Sequence, residues 1–487
     1  MSKYILVIDE GTTSTRAMLF TPDGQCHSSE QLALTQYYPK PGYVEHNADE
    51  IWENSLACTQ KIITKAGGGD KIISIGITNQ RETVIFWDKR NGKALGNAIV
   101  WQDRRTEDIC NIMRKQGHED MVHSRTGLRL DPYFSGSKIG WALQNWPQLK
   151  SIGEHLAVGT VESYLIFKLT GRHISDATNA SRTALMNIDS GEWDEELCAL
   201  FGVPMHILPE ITDCVGELGT CDAAILGHAI KICGSAGDQQ AASIGQACLS
   251  SGQSKATYGT GAFILTNTGT ESRRSKNRLL STIAWQIKGQ RHYALEGSIF
   301  VAGSLVQWLR DDIGVIKDAS ESENIAGGLD DNGGVYIVPA LSGLGAPHWK
   351  ADARAMICGL SFSSSKDHII RAALEAMAYQ SYDLKSAFAE DGAAWSELRV
   401  DGGMVSNSWM VQHLANIIDV RINRPDFIET TALGAAMLAA VGAGVYENLD
   451  DAAVMIGNLQ SFENEMAVDE RAMLLKGWHK AVGYVLS

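Results

Sequence analysis

The run Asp9-Glu10-Gly11-Thr12-Thr13-Ser14-Thr15-Arg16 gathers two carboxylates, a glycine, four hydroxyls and a guanidinium into eight residues. A carboxylate at a strand end suits Mg²⁺, and a glycine followed by hydroxyl donors suits the outer phosphates of ATP. The same residue types also make an ordinary hairpin turn. A partner turn, Gly259-Thr260-Gly261, stands halfway along the chain. Asn79-Gln80-Arg81-Glu82-Thr83 follows an apolar run at 72–77. Adjacent Arg and Glu read either as a solvated ion pair of little energetic weight or as a pair matched to a polyol, which offers both lone pairs and hydroxyl protons. In Ala236-Gly237-Asp238-Gln239-Gln240 the acid precedes an Ala-rich segment. It is either a helix N-cap or a base for a hydroxyl proton.

These groups need elements to carry them. Residues 4–20 read as strand, polar turn and strand, and 72–77 as a buried strand. Ile51, Trp52, Leu56, Ile62 and Ile63 share one face of a predicted helix at 48–66, with Asn47 as its cap. The stretch 254–267 repeats the opening hairpin. Two such hairpins imply two domains with related cores, each giving one phosphate-facing turn to a cleft between them. The uncharged segment 248–253 is the expected crossover, so the domains are 1–248 and 249–487. Helices are expected at 369–388 and 407–418, with a strand at 398–403, which makes the class mixed α/β.

The composition, 487 residues with 44% hydrophobic and 20% charged, excludes disorder, coiled coil and collagen. A net charge of −15 disfavours nucleic acid and anionic membrane as partners. An anionic ligand must therefore be held locally, by glycine-loop amides such as those of Gly11, Gly259 and Gly261 and by a metal. Nine scattered cysteines without a CxxC pair point to a reducing, cytoplasmic setting and away from disulfides or structural zinc. No signal peptide is expected at the N-terminus. The apolar stretch 432–446 is shorter than the ~20 residues of a membrane span, and its three glycines suggest a closely packed buried helix. There is no GxxxxGK[ST] loop, and Gly343-Leu-Gly345-Ala-Pro-His348 lacks the third glycine of a dinucleotide fingerprint. His118 and His123 are spaced one residue too far for HExxH and would diverge by about 140° on a helix.

Taken in order, these segments resemble the FGGY carbohydrate kinases over nearly the whole chain. Tyr133-Phe-Ser-Gly-Ser-Lys138-Ile-Gly-Trp141-Ala-Leu-Gln-Asn145 is similar to one family signature, apart from Ala142, where a larger apolar residue is usual. Ala355-Met-Ile-Cys-Gly359-Leu360, continued by His368-Ile-Ile-Arg-Ala-Ala-Leu-Glu375, is similar to the other. Pro39-Lys-Pro-Gly-Tyr-Val-Glu-His46, Gly76-Ile-Thr-Asn-Gln-Arg-Glu-Thr83 and Ala98-Ile-Val-Trp101-Gln-Asp-Arg-Arg105 look like the members that phosphorylate glycerol.

The resemblance implies two related actin-like, ribonuclease H-like ATPase domains around a cleft. It implies ATP-dependent phosphorylation of glycerol to sn-glycerol 3-phosphate, the first step of glycerol catabolism, with Mg²⁺. Carried over by residue, Thr12, Thr13, Ser14 and Arg16 meet the ATP phosphates and Asp9 positions the metal. Thr260, Gly303, Gln307, Gly403 and Asn407 hold the rest of the nucleotide. Arg81, Glu82, Tyr133, Asp238 and Gln239 hold glycerol, Trp101 and Phe263 cover its carbon chain, and Asp238 is the general base. A homodimer or homotetramer is implied too. Glu10 stands where many members carry Gln, which adds negative charge near the phosphates. The 221–231 loop lacks the Gly-Gly-Thr-Arg type of segment, His228 lacks the regulatory phosphohistidine spacing, and 461–470 differs from the carrier-binding segment. Regulation by fructose 1,6-bisphosphate, by histidine phosphorylation or by a carrier protein is therefore not expected. The rivals are a kinase of another polyol or ketose, such as erythritol or xylulose, and a nonenzymatic ATP-binding scaffold akin to actin and the heat-shock chaperones.

Overall fold

The apolar run after Tyr4 forms β1 (Tyr4–Glu10), which turns back at Gly11 into antiparallel β2 (Ser14–Phe20), and β3 (Cys26–Ala33) continues the meander. The computed structural model describes residues 3–350, 352–427 and 429–487. Helix α1 (Ala48–Ala66) begins where the Asn47 side chain accepts from the amides of Asp49 and Glu50. Its buried residues Ile51, Ser55, Cys58, Ile62 and Ile63 recur at helical spacing and lie against this meander. The chain then returns to the sheet as β4 (Ile72–Asn79), parallel to β1, and later as β5 (Val215–Thr220) and β6 (Lys231–Gly237). The order is β5-β6-β4-β1-β2-β3, with β6 parallel to β4.

The second half repeats this plan. Strands β7 (Gln253–Tyr258) and β8 (Ala262–Gly269) form the hairpin expected at 254–267. Strands β9 (Leu280–Ile287) and β10 (Gln290–Ile299) extend it on one side, and β11 (Glu397–Asp401), β12 (Ile422–Pro425) and β13 (Leu459–Phe462) on the other, in the order β9-β10-β8-β7-β11-β12-β13. In both sheets an antiparallel three-strand meander is followed by two parallel strands entered by crossovers: β3-β2-β1-β4-β6 in the first and β10-β8-β7-β11-β12 in the second. Two α/β domains of one topology result.

The helices between the sheets are α3 (Asp238–Gly245) and α7 (Thr430–Gly442). Helix α7 is apolar on all sides, as a helix buried all round must be, and it packs on β1, β4 and β6 of the first sheet. The Ser74 hydroxyl donates to its Ala439 carbonyl at 3.0 Å. It crosses α3 where Gly245 and Gly434 bring the backbones together, and a Cβ on Gly434 would overlap the Ala241 carbonyl. Of the 432–446 stretch, residues 432–442 are thus the tightly packed helix expected there, while 443–446 form a turn beyond its end. Among the described residues no helix is long and apolar enough to cross a membrane, and all nine cysteines are free thiols.

Candidate active site

Strand register decides which loops meet. Glu10 is opposite Asn79, and Asn79 is opposite Gly237, so three parallel strands end level. The turn after β1, the loop holding Arg81 and Glu82, and Asp238 at the start of α3 therefore leave the same sheet edge. The carboxyl ends of parallel strands are where open α/β sheets build sites. In the second sheet Thr257 is opposite Asp401, which brings Gly259-Thr260-Gly261 and Gly402-Gly403 to a common edge. Gly402 has φ 94°, and a Cβ there would run into the Tyr258 backbone. Only glycine adopts that turn without strain.

At the first turn, Asp9 is buried and pairs with Arg16 at 2.7 Å, and Arg16 also reaches Glu429, beside α7. Burial raises the Asp9 carboxyl against the opposing pull of Arg16. Thr12, Thr13 and Ser14 are half-buried or exposed. Trp101 Nε1 donates to Thr12 Oγ1 at 2.9 Å, and Gln36 and Gln80 donate to the Thr12 and Gly11 carbonyls. Glu10 corrects one expectation. It turns to the other face of β1, where Thr15 and Ser55 donate to its carboxyl at 2.8 and 3.0 Å. Burial lifts that carboxyl to about 8, so it adds no charge to the phosphate turn near neutral pH.

The polyol-facing candidates converge. Arg81 and Glu82 are both buried, which rules out the solvated-pair alternative. Arg81 lies 3.2 Å from Asp238 through Nε, donates from Nη1 to Glu296 at 2.6 Å and reaches the Tyr133 hydroxyl at 3.5 Å. Glu82 sits at φ 61°, with its carbonyl held by Ser135 and Lys138 and its carboxylate by Arg182 at 2.6 Å. Backbone strain of this kind persists where surrounding bonds over-determine it. Trp101 meets the Tyr133 ring edge-on at 5.7 Å. Phe263 lies half-buried on β8, opposite Thr257 and Ser298, on the facing sheet.

Asp238 is not the helix cap. Gly237 occupies that position, and the Asp238 carboxylate, with a third of its side chain open, faces Arg81. Burial raises its carboxyl, and Arg81 and Lys255 oppose the rise. Gln239 accepts from the fully buried Lys255 Nζ at 2.6 Å.

In the second half, Thr260 and Gly403 are exposed at the loop edge, Gly303 opens α4 (Gly303–Asp311), and Gln307 is exposed on that helix. Asn407 caps α5 (Ser408–Ile418) by accepting from Met410 N, and its amide donates to Ser322. The amides of Gly11, Gly259 and Gly303 donate to Ser14, Gly261 and Gly259 carbonyls. Those three glycines shape the turns and do not present free N–H groups, which corrects the sequence reading of them.

Residues 4–245 match the FGGY family of carbohydrate kinases, N-terminal domain, and 254–443 match its C-terminal domain. The chain belongs to the FGGY carbohydrate kinases. It is 49% identical to the glycerol kinase of Gluconobacter oxydans over 99% of this chain and 95% of that protein. It is equally 49% identical to glycerol kinase 1 of Pseudomonas aeruginosa over the whole of both chains. The crystal structure of Plasmodium falciparum glycerol kinase with ADP superposes with a TM-score of 0.96 at 37% identity, covering 100% of this chain and 99% of that one.

Four residues at this candidate site escaped the sequence reading: Arg182, Lys255, Glu296 and Glu429. Lys255 and Glu296 left one usable trace, a charge in the interior of a strand, where burial demands a partner. Arg182 and Glu429 left none.

Proposed function

We propose that this chain transfers the γ-phosphoryl group of ATP to a terminal hydroxyl of glycerol, forming sn-glycerol 3-phosphate and ADP. The observation that carries the reading is the convergence of Arg81, Glu82, Tyr133 and Asp238 at one sheet edge, tied through Trp101 and Thr12 to the phosphate turn. Arg81 donates to, and Glu82 accepts from, the polyol hydroxyls, while the Trp101 and Tyr133 rings wall the carbon chain. Asp238 takes the proton of the attacking hydroxyl as its oxygen bonds to the γ-phosphorus, and the bond to ADP breaks in line. Burial of the Asp238 carboxyl makes it a stronger base than a solvated aspartate.

Residues 1–248 supply the polyol site and the first phosphate turn. Residues 249–487 supply the nucleotide side, through Thr260, Gly303, Gln307, Gly403 and Asn407. Thr12, Thr13, Ser14 and Arg16 contact the phosphates. Among the described residues no group of three or more His, Cys, Asp or Glu side chains could hold a metal. That fits Mg²⁺, which binds through one or two carboxylates and the nucleotide's own phosphates. Asp9 is the carboxylate in place, and the ion would neutralise charge developing on the transferred group. The free thiols support a cytoplasmic location. Self-association to a dimer or tetramer, which light scattering reads, completes the proposal.

An ATP-coupled assay across glycerol, erythritol and xylulose tests the substrate. Glycerol is expected to give the highest kcat/KM, and a higher value for either of the others overturns the assignment.

A further inference from the structure

Two arginines and two glutamates meet where the first domain touches the second sheet. Glu296, on β10, accepts from Arg81 Nη1 at 2.6 Å through one oxygen and from Arg182 Nη2 at 3.0 Å through the other. Arg182 in turn donates from Nε to Glu82 at 2.6 Å. All four side chains are buried, and Arg182 is fully enclosed, its guanidinium 5.4 Å over the Phe134 ring and 5.7 Å over that of Tyr133. Among the described residues its Nη1 meets no hydrogen-bond acceptor. A buried network of four charges with an unpaired donor is a poor device for stability, since apolar residues of similar volume often serve as well or better. Its geometry shows what it does accomplish: both side chains assigned to the polyol are anchored through the same glutamate. Gln240 adds a weaker hold on Arg81 at 3.4 Å.

We infer that Glu296 and Arg182 are positioning residues for the polyol site, fixing the Arg81 guanidinium and the Glu82 carboxylate, and that the site is complete only when β10 of the second domain is docked against the first. This rests on the proposed role of Arg81 and Glu82 in holding the polyol. Without Glu296, Arg81 is free to close on Asp238, which already lies 3.2 Å from its Nε. Among the described residues, none of Thr260, Gly303, Gln307, Gly403 and Asn407 bonds to these four side chains.

The test is steady-state kinetics on full-length Glu296→Gln, Arg182→Met and Arg81→Met, with Glu296→Asp as a charge-preserving variant and thermal melting of each. Glu296→Gln is expected to raise KM for glycerol at least tenfold and to leave KM for ATP within about twofold. Glu296→Asp should recover part of the loss. Combining Glu296→Gln with Arg81→Met should cost less than the product of the single effects, because both act through one guanidinium. An unchanged KM for glycerol in a folded Glu296→Gln protein overturns the inference, and so does a parallel rise in both KM values. Should Glu296→Gln not fold, Glu296→Asp and Arg182→Met carry the same two readouts. If the unaltered protein shows no glycerol-stimulated ATP consumption, the functional reading itself fails. If it is active and Arg81→Met loses glycerol while Glu296→Gln does not, the positioning role alone fails.

Discussion

The indole N–H of Trp101 donates to the Thr12 hydroxyl at 2.9 Å, so the aromatic wall proposed for the polyol and a residue of the proposed phosphate turn are one hydrogen-bonded unit. Thr12 is further held through its carbonyl by Gln36, whose own oxygen meets the buried His46 at 2.9 Å. Trp101→Phe keeps an aromatic wall and removes this tie. A neutral hydrogen bond contributes about 0.5–1.5 kcal/mol, so kcat is expected to fall by up to about tenfold. Loss of ATP turnover with glycerol binding retained is the signature to measure. A kcat equal to that of the unaltered protein would show the tie to be unused.

Asp238→Asn keeps the volume and the contact with Arg81 but removes the proton acceptor. The expected loss in kcat is about 10² or more, while glycerol affinity, measured by calorimetry in the absence of ATP, stays within a few-fold. Near-normal turnover in this variant takes the role of base away from Asp238.

Glu10 gives a pH signature in stability. Its folded carboxyl titrates near 8 against an ordinary 4.5, so the folded state holds a proton that the unfolded chain has lost. The stabilisation is fully present below about pH 4.5 and is lost as pH rises through about 8. Glu10→Gln, which mimics the neutral form, should flatten the fall in urea midpoint between pH 5 and pH 8.5. Glu162, also buried and also raised to about 8, leaves a residual slope. Identical pH profiles for the two proteins would contradict the burial argument.

Gly434→Ala places a methyl group against the Ala241 carbonyl at the crossing of α3 and α7. Overpacking of this kind typically costs about 1–3 kcal/mol. A clear drop in Tm is expected, together with weaker activity, because α3 begins at Asp238 and shifts with the crossing. Gly444→Ala is a different control: it has open space around a Cβ, and its φ of 74° isolates the backbone cost.

Much of the fold follows from local chemistry. The β1–β2 hairpin, the Asn47 cap and the second hairpin all rest on patterns a few residues long, where side-chain periodicity and turn residues act directly on the nearby backbone. The loops after β1 and β4 were legible as candidate sites for the same reason, since each ends an apolar strand with polar residues, and Asp238 was legible as an acid just before an Ala-rich segment. The buried partners of those loops were not. Arg182 lies 100 positions from Glu82 and 114 from Glu296, and nothing within its own segment marks the pairing.

Asp9 and Glu10 separate the two kinds of information most plainly. Adjacent carboxylates on a strand must point to opposite faces, because side chains alternate along it; that much is written in the chain itself. Which of them reaches the cleft was decided by where α1 came to rest. Burial beneath α1 keeps Glu10 protonated near neutral pH, against the hydrogen bonds that Thr15 and Ser55 donate to it, and Asp9 is left to meet Arg16 at the proposed phosphate turn. Burial and long-range pairing set the charge of a carboxyl, and neither exists before the sheet, the helix and the second domain are packed together.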